Sequence, residues 1–247
     1  MKDLRLLILA GTGDAAQLAS RLAEVPELSA TISFAGRVAA PTLPPGACVR
    51  IGGFGGVEGL IAYLTSENID ALIDATHPFA ERMHHNAATA CGRLSLPILA
   101  FTRPAWEPPD DEPWHEVNDI PTAAALTPFL GRRIFLTIGR QELAPFAAHR
   151  EPWFLIRSID EPKVTLPPNH ELLLQRGPFA FEEELAVMRE HSIDLLISKN
   201  SGGSATFAKI AAARALGIPI LIVRRPPRPQ IPSAETLEET LTWLTSL

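Results

Sequence analysis

The sequence predicts an α/β protein of two Rossmann-like parallel-sheet lobes, related by an internal repeat, with a cleft expected between them. Three observations carry this. Short runs rich in Val, Ile and Leu, without polar alternation, are interleaved with stretches of helical periodicity; this is the pattern of βαβ units whose strands are buried on both faces. Segments recur in the same register: "EGLIAYLTSENID" from Glu58 matches "EEELAVMREHSID" from Glu182, and "CGRLSLPILAFTRP" ending at Pro104 matches "ARALGIPILIVRRP" ending at Pro226. A Pro/Trp-rich stretch follows Arg103, so the lobes are expected at roughly 1–125 and 126–247.

Taken in order, "RLLILAGT" is an apolar strand running into Gly11, and "SATISFAGR" is the second strand, ending in Gly36-Arg37. Helical periodicity covers 56–67, "IDALIDATHPFA" from Ile69 is a strand and its loop, a second helix covers 79–94, and "PILAF" is the next strand. The second lobe repeats the plan. "RIFLTIGR" runs into Gly139, helices are expected over 178–191 and 203–216, and between them "IDLLISKNSGGSA" from Ile193 is a strand ending in a loop of small and polar residues. The 23 prolines gather in 104–113, 162–168 and 226–232, which are therefore loops or linkers.

With 247 residues, 46% hydrophobic and 20% charged, the chain is long enough for a substantial core and is not of disordered composition. A formal net charge of −6 argues against nucleic acid as a partner but leaves room for a local basic site on a small anion. Leu6–Ala10 and Ile218–Val223 are far too short to cross a bilayer, so no membrane partner is expected. The first strand-like run starts almost at Met1, so no signal peptide is expected before it. Cys48 and Cys91 form no disulfide framework or metal spacing, and the expected location is a reducing cytoplasm.

Ligands of open α/β sheets sit beyond the carboxyl ends of the strands. "GTGDAA", residues 11–16, fits G-x-G-x-x-A between a strand and a helix, with Gly11 for the turn, Gly13 for backbone approach to a phosphate and Ala16 for close helix packing. The same pattern also suits a plain glycine turn with Asp14 near the helix start. The second strand offers no acid for the ribose of NAD; Arg37 can instead pair with the 2′-phosphate of NADP, or simply face solvent. The loops 74–80, "TIGRQEL" and "SKNSGG" complete the set. Arg103, Arg140, Lys199, Arg224 and Arg225 lie at or near strand ends and suggest a polyanionic ligand, although one of the last two is expected to face solvent. Adjacent His84 and His85 point about 100° apart on a helix, and no acidic or cysteine partner is suitably spaced, so no metal is expected.

Taken together, "LAGTGDAAQLA", "SFAGR", "GGFGGVEGL", "DATHPFAERM", "TRPAW", "FLTIGRQEL", "FLIRSID", "QRGPF" and "SKNSGGSATFAKIAAARALGIPI" resemble, in order and over nearly the whole chain, the precorrin-6A reductases of cobalamin biosynthesis. The resemblance implies NADPH-dependent reduction of a polycarboxylated tetrapyrrole, precorrin-6A or its cobalt form, to precorrin-6B by hydride transfer, with other cobalamin-pathway enzymes as partners. Two departures stand out: Asp14, Ala15 and Ala16 stand where the family's first helix often carries Glu-Ala-Arg, so any ligand contact by that arginine is missing, and His84 stands where a serine is expected. The expected cofactor-binding residues are Gly11, Thr12, Gly13, Asp14, Gly36, Arg37, Thr76, Gly139 and Arg140. Pro78, Phe79, Arg103, Lys199, Asn200, Ser201, Gly202 and Gly203 are assigned to the substrate. His77, as proton donor, and Lys199 are the catalytic candidates. The alternatives are another NADPH reductase of a smaller polyanion and a non-catalytic dinucleotide-sensing module.

Overall fold

The computed structural model describes residues 4–26, 28–35, 48–109 and 114–247. The chain forms two units, Met1–Arg103 with Pro227–Leu247, and Pro104–Pro226.

The first unit contains β1 (Leu4–Ala10), α1 (Gly13–Leu22), β2 (Leu28–Phe34), β3 (Cys48–Ile51), α2 (Val57–Ser66), β4 (Ala71–Ala75), α3 (Glu81–Leu94) and β5 (Ile98–Phe101). The second contains β6 (His115–Val117), α4 (Ile120–Leu130), β7 (Arg133–Thr137), β8 (Trp153–Ser158), β9 (His170–Leu174), α5 (Phe181–Glu190), β10 (Leu195–Lys199), α6 (Ala208–Ala215) and β11 (Ile220–Val223). The chain then returns to the first unit for β12 (Ser233–Ala234) and α7 (Leu237–Thr245).

The unbroken apolar run of β1 follows from burial on both faces. Leu6, Ile8 and Ala10 pack with Ala15, Leu18 and Leu22 of α1, while Leu7 and Leu9 pack with Leu60 and Leu64 of α2 and Ala87 of α3. In the second unit Phe135, Leu155, Leu196 and Ile222 meet Leu185 and Met188 of α5 and Ile210 and Ala213 of α6.

Both sheets are parallel, with orders β12-β5-β4-β1-β2-β3 and β6-β11-β10-β7-β8-β9. Each is the doubly wound dinucleotide-binding order, with its reversal between β1 and β4 or between β7 and β10. The repeat reaches individual hydrogen bonds. Arg5 N–H donates to Asp70 Oδ2 at 2.9 Å and Asp70 N–H to the Arg5 carbonyl at 2.8 Å; Arg133 and Asp194 make the same exchange at 2.8 and 2.9 Å. Asn68 and Ser192 take the same positive φ, 50° and 49°, just before these aspartates. The recurring Ile-Asp pair is thus a clamp on the first strand of each repeat, β1 and β7. Asp194 also accepts the Arg132 N–H, so Asp194→Ala should cost about 1–3 kcal/mol, as read by denaturant unfolding. An unchanged stability would contradict this.

One expectation changes. The repeat suggested a boundary near residue 125, whereas the chain passes between units after Arg103 and again after Pro226. The cause is that the strand and helix ending each repeat join the sheet of the other unit: β6 pairs with β11, and β12 with β5. The helix expected from residue 203 is also shorter, because Gly202 and Gly203 have φ of 68° and 71° and α6 begins only at Ala208.

Candidate functional site

In the first unit the sheet reversal brings the ends of β1 and β4 together. Thr12 caps α1, its hydroxyl accepting the Ala15 N–H at 3.1 Å; the helix geometry supplies no intrahelical acceptor for the N–H groups before it. Neither Gly11 nor Gly13 is among the positive-φ glycines, so the turn does not need their left-handed freedom. A Cβ at Gly13 would meet nothing within 4 Å; the space beside it is open to a ligand. Thr12, Asp14, Ala75, Thr76, Pro78, Phe101, Thr102 and Arg103 line one shallow hollow that is open to solvent. Arg103 forms an ion pair with Asp14 at its rim.

Beneath the hollow lies a cluster that sequence reading did not assemble. Asp74, at the end of β4, and His84, on α3, are each 1% exposed. Thr76 N–H and hydroxyl donate to Asp74 Oδ1 at 3.1 and 2.6 Å, and His84 Nδ1 lies 2.6 Å from Oδ2. Arg228 NH2 sits 3.9 Å from Oδ2 and 3.2 Å from His84 Nε2. Burial raises the Asp74 pKa, but the His84 hydrogen bond and charge, the Thr76 bond and the Arg228 charge outweigh it and hold the carboxyl below its ordinary range. His77, half-buried on the same loop, accepts the Phe79 N–H on Nδ1 at 3.2 Å, so its neutral ring carries the proton on Nε2.

The second unit has its own strand-end cluster. Gly139 takes φ 89°, and Arg140 pairs with Asp160 at 2.7 Å. Lys199 is paired with Glu142 and is 13% exposed; burial pushes its ammonium down to about 8. The SKNSGG loop is tied down from within. Asn200 accepts the Trp106 N–H and donates to the Trp106 carbonyl, both at 2.8 Å, and Trp106 Nε1–H donates to the Gly203 carbonyl at 2.8 Å. Arg225 donates to the carbonyls of Asn200, Ser201 and Pro104. The Asn200 side chain is thus committed to the protein backbone, not displayed to a ligand.

The structure therefore brings Thr12, Asp14, Thr76, Pro78 and Arg103 together in one unit, and Gly139, Arg140, Lys199 and the loop 200–203 lie at strand ends of the other. All five strand-end cations have internal acceptors; Arg224, 58% exposed, pairs with Glu116. Their clustering is partly structural. Gly36 and Arg37 lie outside the described residues. His85 is exposed, with Nδ1 3.0 Å from the Glu81 carbonyl. Among the described residues there is no group of three or more His, Cys, Asp or Glu placed to hold a metal, and no helix long and apolar enough to cross a membrane.

Comparison with known proteins gives concordant findings. The family model described as "Precorrin-6x reductase CbiJ/CobK" matches residues 5–245. The precorrin-6A reductase of Rhodococcus erythropolis is 52% identical over 246 residues, covering 98% of both chains. A solved structure, "CobK precorrin-6A reductase", matches with a TM-score of 0.90 at 40% identity, over 98% of this chain and 96% of that one. The cobalt-precorrin-6A reductase of Methanothermobacter thermautotrophicus is 28% identical over 91% of this chain and 78% of its own length.

Proposed function

As the chain belongs to the precorrin-6x reductase family, we propose that it is an oxidoreductase that reduces precorrin-6A in cobalamin biosynthesis, with a nicotinamide nucleotide as reductant. The observation that carries the reading is the hollow at the sheet reversal of the first unit, beside the N-terminus of α1 and the open space at Gly13. A helix N-terminus at that point favours a phosphate group, through its free N–H groups and its dipole. The residues present fit such a group.

When bound, the reduced nicotinamide supplies the hydride for the macrocycle. The chain's own residues bind, orient and move a proton. The Thr12–Asp14 turn holds the phosphates, and Thr76 and Thr102 offer polar groups to the hollow. Arg103 exchanges Asp14 for a carboxylate of the substrate. His77, on the loop after β4, serves as the general acid: as imidazolium it gives one proton to the carbon beside the reduced position and is left as the neutral ring. The cobalt-free macrocycle is the favoured substrate, because the relatives at 52% and 40% identity carry the precorrin-6A name and the cobalt-named one stands at 28%.

NADPH is the favoured form, since the second strand ends in Gly36-Arg37 without an acid. A charge-assisted bond of about 1.5–3 kcal/mol from Arg37 to the 2′-phosphate gives a preference over NADH of roughly tenfold or more. Arg37→Ala should erase most of it in a binding titration, and equal binding of both nucleotides by the unmodified protein would refute the assignment. The function itself is tested by mixing protein, NADPH and precorrin-6A and following nicotinamide absorbance beside the pigment spectrum. Loss of both in step is expected, and an unchanged pigment would overturn the reading.

A further inference from the structure

We propose that Asp74 is a positioning residue for the cofactor: by taking the single hydroxyl proton of Thr76, it turns that hydroxyl into an acceptor toward the hollow, which selects a ligand group that donates there. The inference rests on the reductase reading and deepens it. In a nicotinamide nucleotide the matching donors are the carboxamide NH2 and a ribose hydroxyl.

A threonine hydroxyl has one proton and two lone pairs. Here the proton lies on the 2.6 Å bond to Asp74 Oδ1, and the Thr76 N–H bonds to the same oxygen. His84 Nδ1 lies 3.3 Å from the same oxygen, and as Thr76 also lines the hollow, what is left to present there is the other lone pair. An acidic Asp74 proton would reverse this polarity, and the neighbours prevent it. His84 Nδ1–H holds Oδ2, Arg228 adds positive charge, and Cys91 on α3, pushed up to about 12 mainly by burial and then by Asp74, stays a neutral thiol. Arg228 NH2 faces His84 Nε2 at 3.2 Å, and the Pro78 carbonyl lies 3.4 Å from the same nitrogen. The polarity of Thr76 is thus fixed by side chains from β4, α3 and the segment that follows the second chain crossing.

The test is calorimetric titration of NADPH, and of its 3-acetylpyridine analogue, which lacks the amide NH2, into the full-length protein and its variants. Thr76→Val should bind NADPH about three- to tenfold more weakly, while Thr76→Ser, which keeps the hydroxyl, should stay within about twofold. If the carboxamide is the donor, the unmodified protein prefers NADPH to the analogue and Thr76→Val loses that preference. If a ribose hydroxyl is the donor, Thr76→Val weakens both equally. Either result supports the shared chemistry. Asp74→Asn should weaken binding as much as Thr76→Val, with no further loss in the double variant. Additive losses would overturn the action of Asp74 through Thr76. Because Asp74 is buried, its variant is read only if its circular dichroism is native; otherwise the Val/Ser pair decides. Native affinity in Thr76→Val overturns the proposal alone, whereas no NADPH binding by the unmodified protein overturns the cofactor reading with it.

Discussion

Lys199→Met is expected to lower kcat/KM about ten- to a hundredfold while leaving the fold intact. Lys199 stands at the end of β10 with its stem buried and its ammonium against Glu142. A substrate carboxylate that reaches this point takes the place that Glu142 now holds. Losing one charge-assisted contact to a shielded anion is worth about 1.5–3 kcal/mol, hence the fold-change. Glu142 is 39% exposed and can be solvated when its partner is gone, so the melting temperature should barely move. The pH dependence adds a signature. The ammonium is charged below about 8 and loses its proton as pH rises through that value. The attraction is therefore present on the acid side and fades on the alkaline side, and the gap between the unmodified enzyme and Lys199→Met should close as pH passes from 7 to 9. Raised salt should weaken the unmodified enzyme more than the variant. Steady-state kinetics at two pH values and two salt concentrations checks all of this. Equal efficiency at pH 7 and low salt would remove Lys199 from the reaction.

The second large effect is structural. A Cβ at Gly202 would stand 2.1 Å from the Pro104 carbonyl oxygen and 2.2 Å from Arg225 NH2, at a φ of 68°. The strain of that backbone in a non-glycine residue is about 1–2 kcal/mol. The overlap adds to it, since the carbonyl is backbone and Arg225 is held by its bonds to Asn200, Ser201 and Pro104. Asn200, clamped to both polar groups of the Trp106 backbone, prevents the loop from sliding away. Gly202→Ala should therefore lose about 3 kcal/mol or more in chemical denaturation. Gly139→Ala is the control: its φ is 89°, but a Cβ there meets nothing within 4 Å, so only the strain should register. If the two losses are similar, packing around Gly202 is not what selects glycine.

These residues also mark what was legible in the sequence. The repeat was, because its anchors act locally: an Ile-Asp pair fixes the start of the adjacent strand, and "L-x-x-P-I-L" sets the next one. The parallel sheets followed from strands apolar on both faces. The strand-end loops were found as well, since a glycine-rich turn between strand and helix leaves a pattern. Partnership across long distances left none. Asp74 and His84 are only 10 residues apart, yet Arg228, which joins them, lies 144 residues from His84. "TRPAW" and "SKNSGG" are each visible, but that Asn200 reads the backbone of Trp106, 94 residues away, is not; a loop with the look of a ligand cradle spends much of its polarity holding the chain to itself. Strands as short as β12, two residues long, carry no periodicity at all.

The exchange of terminal strands between the two sheets bears on how such a protein can be inherited. Each repeat, taken as a stretch of gene, encodes five strands of one sheet and the edge of the other. A recombination that replaced one repeat with a homologous copy would transplant pieces of both sheets at once, and each transplanted edge would have to suit a partner it did not co-evolve with. Deleting or borrowing a single lobe as a module is closed off for the same reason. The edge strands thus tie the two repeats to each other, so that neither encodes a complete sheet.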